Sequence, residues 1–427
     1  MSTAEDFLIC DMGPTVVFDK SFLQTLTVDE SVWFDHHFVG VITPLFFVET
    51  LADLEKERIR PGRTPEDEVR IIAEKVPEMN SVPHIHHVTL CHGELLGFEV
   101  PFQGRPVLSG GVRTTAGDKK GIVYGVSPES EALERWRREE YREVERRFAK
   151  AWREALGASK RDAGAAFVDR YRDAAAECTT REQLHAVARS IVREAGTSAA
   201  ERMGFVIDIL GLRGDGDEIF ERFLRCGAPA MAVYAPYTAH VVEVELFFRF
   251  ATQRGIIAKE RASNWVDIAY LNYLPTCHVL VSTDRLHRDN ARLFLRDYQT
   301  FVWGEDLKAD LRMIDELHKK LPQAVRDRGL MSFAPRPPTE GEFLTSHLWD
   351  LAMRPSWRTP RPVNLSEDAQ KKMIESMKTM KKRAEAQTEP APIFTTEEAD
   401  AITVDRRVKM RKGSWTQLPP EMLGPDT

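Results

Sequence analysis

Two short apolar runs, far apart in the chain, each lead to an acid, and this pairing limits the fold more than any other feature of the sequence. Thr15 to Phe18 runs into Asp19, and His278 to Ser282 is followed, after Thr283, by Asp284. A β-branched stretch without polar alternation is a strand buried on both faces, the condition of a parallel sheet covered by helices. Such a strand hides its length and frees its carboxyl end, where open parallel sheets bind ligands. After Asp19, Phe22, Leu23 and Leu26 recur at helical spacing, so the chain passes from strand through acid into helix. The predicted class is α/β.

The same grammar recurs. A strand over His37 to Ile42 is followed by Thr43 as a cap and Pro44 as the first residue of a helix with Leu45, Val48, Leu51 and Leu54 on one face. Glu49 stands among these apolar residues, read as close to the helix start, where capping is the plain account and a metal or substrate role the sharper one. Before the second strand, Asn264 to Leu271 reads as a short helix opening on Asp267, with a break at Pro275. A further strand at Gln299 to Trp303 leads to a helix from Asp306, a cap and a fifth acid for the same edge.

Between these pieces the composition changes. Residues 58–227 read as a mostly helical block, including one long charged helix from Pro128 to about Ala158 whose alternating arginines and glutamates predict a solvated face. Gln103 to Gly121 reads as a flexible loop, with no phosphate-binding glycine pattern. His84, His86, His87, Cys91 and His92 invite zinc, but their spacing fits no finger or HExxH pattern, so surface or loop histidines are expected. In Ala230 to Gly255, Pro236 should interrupt an apolar helix, and Glu243 reads as part of a polar stripe. Residues 322–427 are a Pro-rich extension with little core of its own, containing a basic helix over Glu367 to Gln387 with Met373, Ile374, Met377 and Met380 on one face.

A hydrophobic fraction of 42% supports a folded chain, and no apolar run is long enough to span a bilayer. The opening residues carry acids where a secretory signal would carry bases, and the cysteines (Cys10, Cys91, Cys178, Cys226 and Cys277) are scattered and odd in number. These features predict a cytoplasmic protein without membrane contact. The formal net charge of −7 excludes a globally basic nucleic-acid binder but leaves local phosphate contacts open.

Asp19, Glu49, Asp267 and Asp284 converge if the strands are parallel neighbours. Carboxylates packed together repel and bind protons more tightly, so such a cluster calls for a divalent cation. Mg²⁺ or Mn²⁺ suits oxygen ligands and keeps water that can be activated. In these pieces, VVFDKSFL, ITPLFFVETLADL, NWVDIAYL and HVLVSTDRLH, taken in order, the sequence resembles the PIN domain family of metal-dependent nucleases. The resemblance covers residues 12–57 and 228–321. It implies a three-layer α/β/α sandwich around a mainly parallel sheet, interrupted by the helical insertion at 58–227. It also implies the four acids as metal ligands, and hydrolysis of single-stranded RNA or structured nucleic acid, with RNA favoured over DNA. The insertion and the extension are then sites for a protein partner or a second copy. The alternative is a PIN-like scaffold without turnover that binds nucleic acid or protein. Lys20, after Asp19, reads as a partner for a phosphate or for Asp19 itself.

Overall fold

A computed structural model describes residues 13–56, 61–100, 103–108, 110–157, 165–193, 199–258, 263–359, 366–386 and 401–418. Cys10, the opening residues read for a signal, and the Pro-rich segments at 388–394 and 419–427 lie outside these ranges. The chain is α/β, organised on a five-stranded sheet of order β3-β2-β1-β6-β7. Its strands are β1 (Thr15–Phe18), β2 (Val39–Ile42), β3 (Ser81–Pro83), β6 (Val279–Ser282) and β7 (Thr300–Trp303). Every neighbouring pair runs parallel.

Strand burial explains the unbroken apolar runs. Successive side chains point to opposite faces: Val17, Val41 and Leu280 enter one core, while Val16, Phe18, Val281 and Val302 enter the other. The first core is filled by the Pro236–Gln253 and Arg181–Arg193 helices. The second takes the helices Val28–His37, Pro65–Lys75 and Gly304–Lys319. Helices thus cover both faces. Capping boxes at Thr27 with Glu30 and at Thr64 with Asp67 fix two of their starts. The helix interrupted at Pro236 has a short first part, Met231–Tyr234, and Pro236 opens the second, where Glu94 accepts from the Tyr237 and Thr238 amides.

Several sequence readings change. The block at 58–227 supplies β3, which extends the central sheet, and the Pro65–Lys75 helix, whose Val69 and Ile72 are core. The histidine-rich stretch from Ser81 to Phe98, expected to carry loop or surface histidines, forms β3 and then a helix over His87–Leu95, with His84 buried. The Gln103 to Gly121 loop holds the hairpin β4 (Gly111–Ala116) and β5 (Lys119–Tyr124), turning on Gly117 and Asp118. Gly117 has φ +62°, which this two-residue turn requires and glycine allows. The long charged helix divides into Pro128–Arg137 and Glu143–Gly157, with Glu139 at φ 58° in the break. Across it, Arg135 grips Glu145 through its two terminal guanidinium nitrogens.

The C-terminal segment is also more embedded than its composition suggests. β8 (Ala401–Val404) pairs in parallel with β5, and Met380 of the Glu367–Glu385 helix is buried against that small sheet. Ile374 and Met377 remain exposed. Trp415 is fully buried in the core of the central sheet. Among the described residues, no helix is long and apolar enough to cross a membrane.

Around Trp33 the second core holds titratable groups. His37 is stacked on the indole at 5.6 Å, His318 meets it edge-on at 4.7 Å, and His36 lies 4.9 Å from His37. His36 Nε2 donates to the Ala334 carbonyl, while neither ring nitrogen of His37 has a hydrogen-bond partner among the described residues. Burial, then the neighbouring His36 and His318, pushes His37 well down. Burial likewise lowers His36, against the pull of Ala334 and Asp35, and takes His318 to about 4. These imidazoles are therefore neutral when folded but titrate near ~6.5 when unfolded. Their contribution to stability is full above about pH 6.5 and is lost as pH falls below it. The melting temperature should drop as pH is lowered from about 6.5 toward 5, before ordinary carboxylates protonate. His37→Leu should flatten that part of the profile; an unchanged profile would refute the account.

Candidate active site

The strand order reverses between β1 and β6, where consecutive stretches of the chain leave in opposite directions across the sheet. The crevice at that point, outside the carboxyl ends, is the usual ligand site of such sheets. Phe18 is in register with Val281, so Asp19 stands beside Ser282.

Asp19 caps the short Lys20–Thr25 helix, accepting from the Phe22 amide at 2.9 Å through Oδ1. Its Oδ2 accepts from the hydroxyls of Ser21 at 2.7 Å and Ser282 at 2.6 Å. Burial favours its protonation, but His287 and the hydroxyls of Ser282 and Ser21 outweigh this and hold the carboxyl below its usual range. Asp284 caps the next helix, Arg285–Asn290, accepting from the Leu286 amide at 2.6 Å. Both acids thus stand at strand ends because each starts the helix that follows.

His287 binds the two strand ends together. Ser282 Oγ gives its proton to Asp19, so it accepts from the Asp284 amide at 2.9 Å and from His287 Nδ1 at 2.8 Å. His287 Nε2 donates to the Asp267 carbonyl, and Nδ1 lies 3.6 Å from Asp19 Oδ2. With a proton needed on each nitrogen, the ring is an imidazolium. Burial alone would lower its pKa, but Asp19 and Asp267 raise it to about 9. No sequence motif singles out His287. Its only sequence signal was its place one turn after Asp284, on the inward side of a helix.

Glu49 and Asp267 complete the group. Glu49 lies near the end, not the first turn, of a helix that runs only over Pro44–Leu51. Its Oε2 accepts from the Tyr270 hydroxyl. Burial raises its pKa and Asp19 adds to this, although Lys20, Tyr270 and His287 oppose it. Asp267 sits in the first turn of the Asn264–Ala269 helix, which begins before it. Burial, followed by the charges of Glu49, Asp284 and Asp19, lifts it to about 7 against the pull of His287. The four acids therefore share one electrostatic neighbourhood.

Other readings separate from this site. Lys20 donates to Asp53 Oδ1 and to the Glu49 carbonyl, both at 3.0 Å, rather than pairing with the Asp19 carboxylate. Asp306 is exposed in the first turn of the Gly304–Lys319 helix, and Trp303 occupies the cap position. Glu243 pairs with His185 Nε2 at 2.6 Å between two helices of the first core. His86 caps its helix through the Val88 amide, and His87 Nδ1 meets the Tyr273 hydroxyl at 3.2 Å.

Compared with protein-family models, curated proteins and solved structures, the chain finds no match. The site's donor chemistry suits a hard divalent cation: carboxylate oxygens, with excess negative charge offset by His287 and by proton uptake at Asp267. As the side chains stand, however, no group of three or more His, Cys, Asp or Glu among the described residues is spaced to hold a metal ion. The Asp19 oxygens already accept from Phe22, Ser21 and Ser282.

Proposed function

We propose that the chain is a PIN-like metal-dependent nuclease that hydrolyses phosphodiester bonds in RNA in preference to DNA. The observation that carries this reading is the meeting of Asp19, Glu49, Asp267 and Asp284 at the switch point of a parallel sheet, with charges close enough to lift Asp267 to about 7. Mg²⁺ or Mn²⁺ held by these acids would supply an activated water and offset charge on the phosphoryl oxygens. The protein's own part is positional. Ser21, Ser282 and the Phe22 amide fix Asp19 in one orientation. Tyr270 orients Glu49, and His287 keeps Asp19 ionised and ties the Asp267 backbone to β6. Asp267, poised near neutrality, is the group suited to take the proton of an attacking water.

The test is cleavage of end-labelled single-stranded RNA with Mn²⁺ or Mg²⁺, against EDTA, comparing wild type with Asp19→Asn and Asp284→Asn. Equal rates in all three would sink the assignment. A second reading, a PIN-like scaffold without turnover, is favoured by one observation: the hydrogen bonds of Asp19 are satisfied from within the chain, and its charge faces an internal imidazolium. On that reading RNA binds without being cut, and binding weakens steeply with added salt.

A further inference from the structure

Trp303 ends β7 in register with Ser282 of β6. Registered residues of parallel neighbours project from the same face of a sheet. The indole therefore stands on the face where Ser282 Oγ meets Asp19 and His287. Over it lies Arg288, its guanidinium carbon 5.1 Å from the ring centroid. Arg288 is one helical turn from Asp284, to whose carbonyl its amide donates at 3.1 Å. Its side chain is 50% exposed, and its ionic contact is with the adjacent Asp289, through Nε at 3.5 Å. Gly304, which follows, packs closely on the end of the neighbouring strand: a Cβ there would meet Thr283 Cγ2 at 2.6 Å and Phe22 Cδ2 at 2.9 Å.

Arginine over an aromatic ring is common enough that such a pair by itself means little. Arg358 covers Trp357 and Arg249 covers Trp265 in this same chain. What singles out Arg288 is its place. It lies at the carboxyl edge of the sheet beside Asp284, on a segment where Arg285 is also exposed and Arg292 follows. A planar cation backed by an indole offers a second flat face to a π-system, the arrangement on which unpaired bases stack. Bases inside a duplex have both faces taken by their neighbours, so only an unstacked base can use it.

We propose that Arg288, poised over Trp303, is the stacking platform for one base of a single-stranded nucleic acid, placing the adjacent phosphate at the acids. This rests on the nuclease reading and narrows its substrate to unpaired strands. Arg288 contributes through its plane as well as its charge, so Arg288→Lys separates the two. The experiment measures fluorescence anisotropy of a labelled single-stranded oligoribonucleotide in EDTA, and cleavage in Mn²⁺, for wild type, Arg288→Lys and Trp303→Ala. Matched duplex and abasic strands of the same length serve as controls.

Wild type should prefer the single strand to the duplex. Both variants should lose about tenfold in affinity for the base-bearing strand and bind the abasic strand as wild type does. Arg288 is at the surface, so its lysine variant should fold even if Trp303→Ala does not. Equal loss on the abasic strand would reduce Arg288 to a phosphate contact and overturn the platform. So would variants that match wild type while wild type binds and cuts. A wild type that neither binds nor cuts any strand would instead overturn the nuclease reading, and the platform with it.

Discussion

On the nuclease reading, Asp19→Asn should abolish metal-dependent cleavage while leaving the protein folded. The carboxylate is the most constrained of the four acids, taking three hydrogen bonds and lying 3.6 Å from His287. An amide of the same shape can still accept from the Phe22 amide, but it carries no charge for a cation and turns a donor toward the hydroxyls. Groups that only support a metal ligand typically cost about 10–100-fold in affinity or activity when removed. A direct ligand should therefore cost at least about a hundredfold. The substitution also strips His287 of its nearest counter-charge. Breaking a buried pair can cost about 3–5 kcal/mol, but His287 can shed its proton, so the loss should be smaller. Its pKa, raised to about 9 by Asp19 and Asp267 against burial, should fall toward the usual imidazole range. Histidine NMR shifts would report that fall independently of turnover. A folded variant that cuts at the wild-type rate would remove Asp19 from the mechanism.

The largest stability effect is expected far from the site in sequence. Trp415 is fully buried, its ring 4.9 Å from Trp33 at 74° and 6.1 Å from Phe333. Its Nε1 donates to Asp315 Oδ1 at 2.8 Å, the same oxygen that takes Trp33 Nε1 at 3.1 Å. Trp415→Ala should cost about 3–5 kcal/mol, as truncation of a buried aromatic does. Asp315 keeps Trp33 and Lys319 as donors, so its carboxylate is not left unpaired. The urea midpoint should fall clearly, with a smaller fall for Trp415→Phe. A chain ending before residue 401 should be at least as weak as Trp415→Ala. Unchanged midpoints would mean that the C-terminal segment is dispensable to the core.

Local chemistry made much of this legible. The β-branched runs at 15–18 and 279–282 are strands because nothing polar interrupts them, and the acids after them cap helices because carboxylates accept free amides at helix starts. Glu49 lies later in its helix than the sequence suggests, because capping by Thr43 and Pro44 marks where a helix starts, not how soon it tightens into the turn at Ala52–Glu55. The β4–β5 hairpin did carry a signal, Gly117-Asp118 between two strand-like runs. Glycines and lysines on either side made it read as loop. The Trp415 anchor carried none, because a lone tryptophan in a Pro-rich tail looks the same whether exposed or buried.

By itself, then, the sequence determined the strand–acid–helix units and the parallel α/β class, since each follows from residues within a few positions of one another. Tertiary structure alone decided the rest. It set β6 beside β1 with Phe18 opposite Val281, and so brought Asp267 and Asp284 to Asp19 and Glu49 across more than two hundred residues. It also made His287 an imidazolium and laid Arg288 over Trp303. Burial and charge at a site are sums over groups that the chain joins only by folding. No local pattern records that sum.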